Sequence, residues 1–275
     1  VVIRGRTIER VGPYRAFGLV AAGGSCELVA IEREGARAAV KWLLADCARD
    51  ARVSAAFEHE AALLTRCQSE RLPRLIAREV HDERPAMVLS WVDGAPLEIT
   101  APRSAGECVS IARDALAALH ALHELSDERG PLGAVHRDVT PSNILVDAAG
   151  RATLVDLGLA SSALFVREPD GLSEGTVGYH APEMFTGAHP VDRRADVFCL
   201  GIVLWECLAR RPLFARSKFA AANAAVDEDA PDLRDLGAEV TASLAAVVAR
   251  ALSRDPARRF ETALQFAGAL DACPQ

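Results

Sequence analysis

The hydrophobic period of this chain changes once, near residue 95, and that change restricts the folds open to it. Residues 14 to 43 alternate short β-like runs, "YRAFGLVA", "CELVAIE" and "AAVKWLL", with Gly-containing breaks, as an antiparallel meander does. From about Asp50 to Cys67 the period lengthens: Val53, Phe57, Ala61 and Leu64 fall at helical spacing with charges between them. The runs "RLIAREV" and "AMVLSWV" return to strand before the turn "DGAP". Beyond Pro96 the chain is mostly helical, with apolar stripes in "AGECVSIARDALAALHALHEL" and in residues 195 to 210, 239 to 253 and 262 to 271. Residues 219 to 233 read as a helix plus a loop, and no repeat or low-complexity tail is visible. The pattern predicts an α+β chain: a small β-rich unit with one helix, then a larger, mainly α-helical unit, with Ser90 to Pro96 as the connection.

At 275 residues, half of them hydrophobic, the chain can bury a sizeable core. A net charge of -7 argues against nucleic acid or an acidic membrane surface as main partner. Seven scattered cysteines without a C-x-x-C pair suit a reducing cytosol rather than a disulfide frame or a zinc site. The most apolar run, "VFCLGIVLWECLA", is short and contains Glu206, so it reads as a buried helix and not a membrane span. The start at Val1, without Met or a secretion signal, fits a domain cut from a longer protein.

Two segments carry concentrated polarity. "VHRDVTPSNILV", residues 135 to 146, is on its own a turn composition. "ATLVDLGLA", residues 152 to 160, places one acid, Asp156, in an apolar run, where it costs free energy unless something such as a metal ion binds it. Lys41 closes the apolar "AAVK"; a lysine there commonly snorkels to the surface, but Glu60 on the next helix is predicted to face inward.

Lys41, Glu60, "HRDVTPSN", "DLG" and "GTVGYHAPE", in this order, resemble a protein kinase of the Ser/Thr type, in its bacterial eukaryotic-like branch, nearly end to end. The resemblance implies a two-lobed kinase domain over residues 1 to 275. A small antiparallel N-lobe of about 10 to 92 leads through a hinge at about 90 to 96 to a mainly α-helical C-lobe of about 97 to 273. It implies transfer of the γ-phosphoryl of ATP to Ser/Thr hydroxyls of a protein substrate in cytoplasmic bacterial signalling, with Mg²⁺ or Mn²⁺ as the metal; a homodimer would permit autophosphorylation in trans. Lys41 then meets the α and β phosphates and Glu60 fixes it, with Leu64 packing beneath. Asp138 accepts the hydroxyl proton, and Asn143 and Asp156 hold the metal. Leu28, Ala39 and Leu145 sandwich adenine, Leu89 is the gatekeeper, and the backbone of Ser90, Trp91 and Val92 lines the adenine edge. Arg137 meets a phosphorylated activation segment, with Ser173 as its phosphosite ahead of Ser161 and Ser162. Thr176 lies in the substrate-positioning stretch, Asp196 braces the catalytic loop, His136 packs as scaffold, and Arg259 partners Glu183. Leu157 keeps an apolar plug after Asp156.

Two departures stand out. The nucleotide loop "AAGGSCEL" has Ala21 and Cys26 at the first and third glycine positions and Gly23 at the second, with Gly24 adjacent, so a Cβ at two places is expected to restrict the loop and weaken ATP binding. Thr140 replaces the lysine expected two residues after Asp138, which removes one positive charge from the transferring phosphoryl. These departures support an alternative, a kinase-fold scaffold with little catalysis; a small-molecule kinase is a third reading, against which "GTVGYHAPE" argues.

Overall fold

The computed structural model describes residues 2–3, 6–7, 9–165, 178–214 and 225–274. The chain divides into two compact units, Val1–Val92 and Asp93–Gln275.

The first unit is built on a six-stranded sheet: β1 (Arg10–Val11), β2 (Tyr14–Ala22), β3 (Cys26–Arg33), β4 (Ala36–Leu43), β5 (Leu75–His81) and β6 (Arg84–Ser90). A short Val2–Ile3/Arg6–Thr7 pair precedes it. Every pairing is antiparallel, but the order is β1-β2-β3-β4-β6-β5. The meander holds through β4, after which the last two strands enter in reverse. Their sequences explain why. The unbroken apolar run Ala86–Leu89 of β6 is buried and suits an interior strand, whereas Leu75–His81 alternates half-buried and exposed residues and suits the edge. One face of the sheet makes a core of Val29, Ile31, Val40, Trp42 and Val88. There the Trp42 indole N–H donates to buried Glu27 at 3.0 Å, and the Arg84 guanidinium lies 3.7 Å over the indole. Between β4 and β5 runs α1 (Ala51–Arg66), capped by Asp50, whose carboxylate accepts from the backbone of Arg52 and Val53.

In the second unit, β7 (Ala95–Pro96), β8 (Ile144–Val146) and β9 (Ala152–Leu154) form a small sheet in the order β9-β8-β7. Gly94 lets β7 approach: at its φ of +128° a Cβ would stand 2.7 Å from the Val146 backbone. The helices of the described residues include α2 (Ala105–His123), α3 (Pro182–Thr186), α4 (Arg193–Ala209), α5 (Ala242–Ala251) and α6 (Ala263–Asp271). A reciprocal Ser104/Glu107 capping box starts α2. Each residue of α4 from Ala195 to Cys207 is buried, so it is the central helix of this unit, packed against α2 and α5. Its Glu206 is satisfied by the Tyr179 hydroxyl at 2.7 Å and the Leu213 N–H at 2.9 Å. Among the described residues no helix is long and apolar enough to cross a membrane.

Candidate active site

In the first unit, strand register gathers the predicted nucleotide residues. Leu28 stands opposite Lys41, Lys41 opposite Met87, Ala39 opposite Leu89, and Ala21 opposite Leu28. Directly paired residues point to one face, so Ala21, Leu28, Ala39, Lys41 and Leu89 share a face opposite the Trp42 core. Cys26, expected at the third glycine position of the loop, lies on it too, as does Met87, to which sequence reasoning assigned no role. Lys41 is no snorkelling surface lysine: its ammonium donates to both Glu60 oxygens, at 2.8 and 2.7 Å, and Glu60 is 2 % exposed. A carboxylate so placed holds the ammonium at one spot on the face, which a flexible four-carbon stem alone would not do. Leu64, a turn further along α1, is buried.

The loop after β2 alters one expectation. Ala21 and Cys26 belong to paired strands, where a Cβ is ordinary. Gly23 and Gly24 have no positive φ, and a Cβ on Gly24 would meet nothing within 4 Å. The two replaced glycines therefore impose no backbone restriction in this arrangement. Ser90 also differs in detail from a simple adenine edge: its N–H donates to the Arg74 carbonyl and its hydroxyl accepts from the Arg74 N–H, at 2.8 and 2.9 Å. The Trp91 ring lies under the Arg37 guanidinium, 5.8 Å from its centroid, and Val92 ends the unit.

In the second unit the polar loop hangs from Asp196, a fully buried acid in the first turn of α4. One Asp196 oxygen accepts from the His136 N–H and meets His123 Nε2; the other accepts from the Arg137 N–H. Burial pushes this carboxyl up, but the contacts with His123 and His136 outweigh it and hold the group below the usual carboxylate range. Pinned at two consecutive amides, the chain turns sharply, and Arg137 takes a φ of +69°. Asp138 follows, its N–H on His136 Nδ1 at 3.3 Å. The Asn143 amide donates to the Asp138 carboxylate at 2.7 Å and to its carbonyl at 2.9 Å, so these two side chains are locked together. Thr140 is buried, its hydroxyl 2.8 Å from that of Ser142.

Asp156 overturns a premise of the sequence argument. It lies beyond β9 and is exposed, with a φ of +68°, so burial does not create its need for a partner. Its carboxylate accepts from the Gly158 N–H at 3.0 Å, while Leu157 is 1 % exposed. The Val155 N–H donates to the Asn143 carbonyl at 2.8 Å, which sets Asn143 beside the residue preceding Asp156. Donor chemistry fits a hard divalent cation: the Asn143 Nδ2 is spent on Asp138, leaving its amide oxygen as the acceptor, and Asp156 offers a carboxylate. Among the described residues no group of three or more His, Cys, Asp or Glu could hold a metal. Mg²⁺ does not require such a cage, because phosphate oxygens and water complete its shell.

Leu145 sits in β8 between Pro96 and Thr153. Glu183 and Arg259 form a buried bidentate pair at 2.7 and 2.8 Å, and the remaining guanidinium donors reach the carbonyls of Ser253, Arg194 and Arg254. Ser173 and Thr176 lie outside the described residues. His123 was missed by sequence reasoning, since nothing local marks a helical histidine whose partner is far along the chain.

The protein kinase domain family model matches residues 21–267. The chain is 31% identical over 272 residues to the serine/threonine-protein kinase Pkn1 of Myxococcus xanthus, covering 95% of this chain and 38% of Pkn1. It is 37% identical over 161 residues to the tyrosine-protein kinase MasK of Myxococcus xanthus (strain DK1622), covering 58% of this chain and 25% of MasK. A crystal structure of the Mycobacterium tuberculosis PknI kinase domain superposes with a TM-score of 0.70 at 24% identity, over 95% of each chain. The chain spans less than half the length of the curated relatives it matches.

Proposed function

We propose that this chain, which belongs to the protein kinase domain family, transfers the γ-phosphoryl group of ATP to serine or threonine hydroxyls of a protein substrate. The single observation that carries the reading is the Asp138–Asn143 pair: an acid at a fixed position, in a loop bent by Asp196, beside an amide oxygen left to face a cation. Asp138 orients the acceptor hydroxyl and takes its proton as the oxygen attacks phosphorus. Lys41, fixed by Glu60, places positive charge on the α and β phosphates. Asn143 and Asp156 hold Mg²⁺ or Mn²⁺, which supplies neutralisation of charge on the transferring phosphate. Leu28, Ala39, Leu89 and Leu145 supply apolar surface to adenine. Position 140 supplies no cation, because threonine is uncharged, and its hydroxyl is buried beside that of Ser142. More of the stabilisation then falls on Lys41 and the metal.

The scaffold alternative drew on Ala21, Cys26 and Thr140. The first two are paired strand residues without positive φ, Ala21 just after a register shift in β2, so of the three only Thr140 still bears on it. A tyrosine acceptor is the second reading, favoured by the likeness to MasK and by the missing lysine. The proposal extends to one kinase domain with lobes of about 10 to 92 and 97 to 273, joined near residues 90 to 96, acting in the cytoplasm where ATP is made. It includes a homodimer that autophosphorylates in trans, with Ser173 as the phosphosite read by Arg137.

The test is intact mass after incubation with Mg²⁺, ATP and a generic protein acceptor, beside Asp138→Asn. Wild type gains phosphate, and the variant is slower by roughly 10²–10⁴. Phosphoamino-acid analysis separates serine and threonine from tyrosine. Nucleotide bound without phosphate transferred to any acceptor would favour the scaffold.

A further inference from the structure

We propose that Cys26 and Cys47 form a peroxide-sensitive thiol pair whose disulfide closes the Lys41 face of the first unit's sheet. The proposal rests on the reading that this face takes ATP. Cys26 opens β3 opposite Leu43, so its side chain lies on the face that carries Leu28 and Lys41. Cys47 comes just after β4. The Leu44 N–H donates to the Ser25 carbonyl at 2.8 Å and the Ala48 N–H to the Leu44 carbonyl at 2.8 Å, which folds the chain back toward the Gly-containing turn. As a result the Cys47 Sγ meets the Gly24 carbonyl at 3.8 Å, while the Cys26 Sγ is 3.7 Å from the Ser25 hydroxyl. The two thiols therefore contact neighbouring residues of one turn, Cys47 at Gly24 and Cys26 at Ser25.

All seven cysteines are thiols, and three of them, Cys26, Cys47 and Cys67, are partly exposed. Cys108, Cys199, Cys207 and Cys273 are buried. Burial pushes the thiols of Cys108 and Cys199 up, that of Cys207 to about 12 and that of Cys67 to about 11, which suppresses their thiolates. Cys26 and Cys47 are both partly exposed. A disulfide requires the sulfurs to close to about 2.05 Å, so the turn must move, and the open space around Gly24 permits it.

The chemistry balances with a hydroperoxide as oxidant. The Cys47 thiolate attacks one peroxide oxygen, the O–O bond breaks, and water or an alcohol leaves a sulfenic acid. The Cys26 thiolate attacks that sulfur, the S–S bond forms as the S–OH bond breaks, and hydroxide leaves as water with the proton the thiols released. Two electrons pass from the thiols to the peroxide. The cross-link draws the turn toward the segment after β4 and so alters the Lys41 face on which the proposed ATP binds.

The test treats reduced protein with hydrogen peroxide, maps peptides without reductant and measures Mg-ATP affinity. The expected result is a Cys26–Cys47 linked peptide two hydrogens lighter than its halves, affinity weakened by at least about tenfold, a loss of some 1.4 kcal/mol, and recovery with dithiothreitol. Cys47→Ser binds as reduced wild type does and keeps its affinity in peroxide. Absence of the linked peptide, linkage with unchanged affinity, or equal peroxide loss in Cys47→Ser each overturns the proposal. Reduced wild type that fails to bind Mg-ATP overturns the ATP reading and with it the gating, while the peptide map still decides the disulfide.

Discussion

Two buried charges show how single residues hold the second unit together. Arg259 spends all its guanidinium donors inside the protein, two of them on Glu183, so nothing in the pair is left to water. Arg259→Met would strand a buried carboxylate, and urea unfolding should show a loss of about 3–5 kcal/mol. Asp196 makes stability depend on pH. Its folded-state pKa lies below the unfolded value, so the unfolded chain binds the proton more readily. The stabilisation is complete above the unfolded value of about 3.9 and disappears as pH falls through the lower folded value. Urea midpoints of wild type and Asp196→Asn, followed from about pH 7 down to about pH 3, should therefore converge in acid; a gap independent of pH would contradict the assignment.

At the scale of elements, the central helix α4 is constrained by how closely its neighbour packs. A Cβ built on Gly201 would come within 3.1 Å of Ala251 and 3.2 Å of Leu252, both held in a packed interior. Gly201→Ala gains helix propensity, but the overpacking should outweigh it, with a net loss of about 1–3 kcal/mol by chemical denaturation. The same elements show what was legible in sequence. Periodicity located α1, α2, α4, α5 and α6 to within a few residues, because one period persists over several turns in each. The order of β5 and β6 was not legible, since pairing order is decided by burial against the whole sheet. Nor was the exposure of Asp156: β9 stops at Leu154, and apolar residues continue beyond it for packing rather than for strand.

For the whole molecule, ligand binding should appear as stability. Nucleotide that binds the folded chain alone raises the melting temperature by mass action, and at one hundred times its dissociation constant the gain is about 2.7 kcal/mol. Mg-ATP should raise the wild-type melting temperature, and Lys41→Met should abolish most of the rise while remaining folded without nucleotide. A variant shift equal to wild type would remove Lys41 from the nucleotide site.

From the sequence alone came the α+β character, the change of period near residue 95, and the order of Lys41, Glu60, Asp138, Asn143, Asp156 and Glu183, because these depend on local spacing and residue chemistry. Tertiary structure decided which groups meet. It brought the expected partners Lys41 and Glu60 within hydrogen-bond distance, hung the His136 and Arg137 amides on Asp196, added the unforeseen His123, and placed Cys26 on the Lys41 face. Such contacts join residues distant along the chain, and their free energy comes from burial and alignment that no local window of sequence contains.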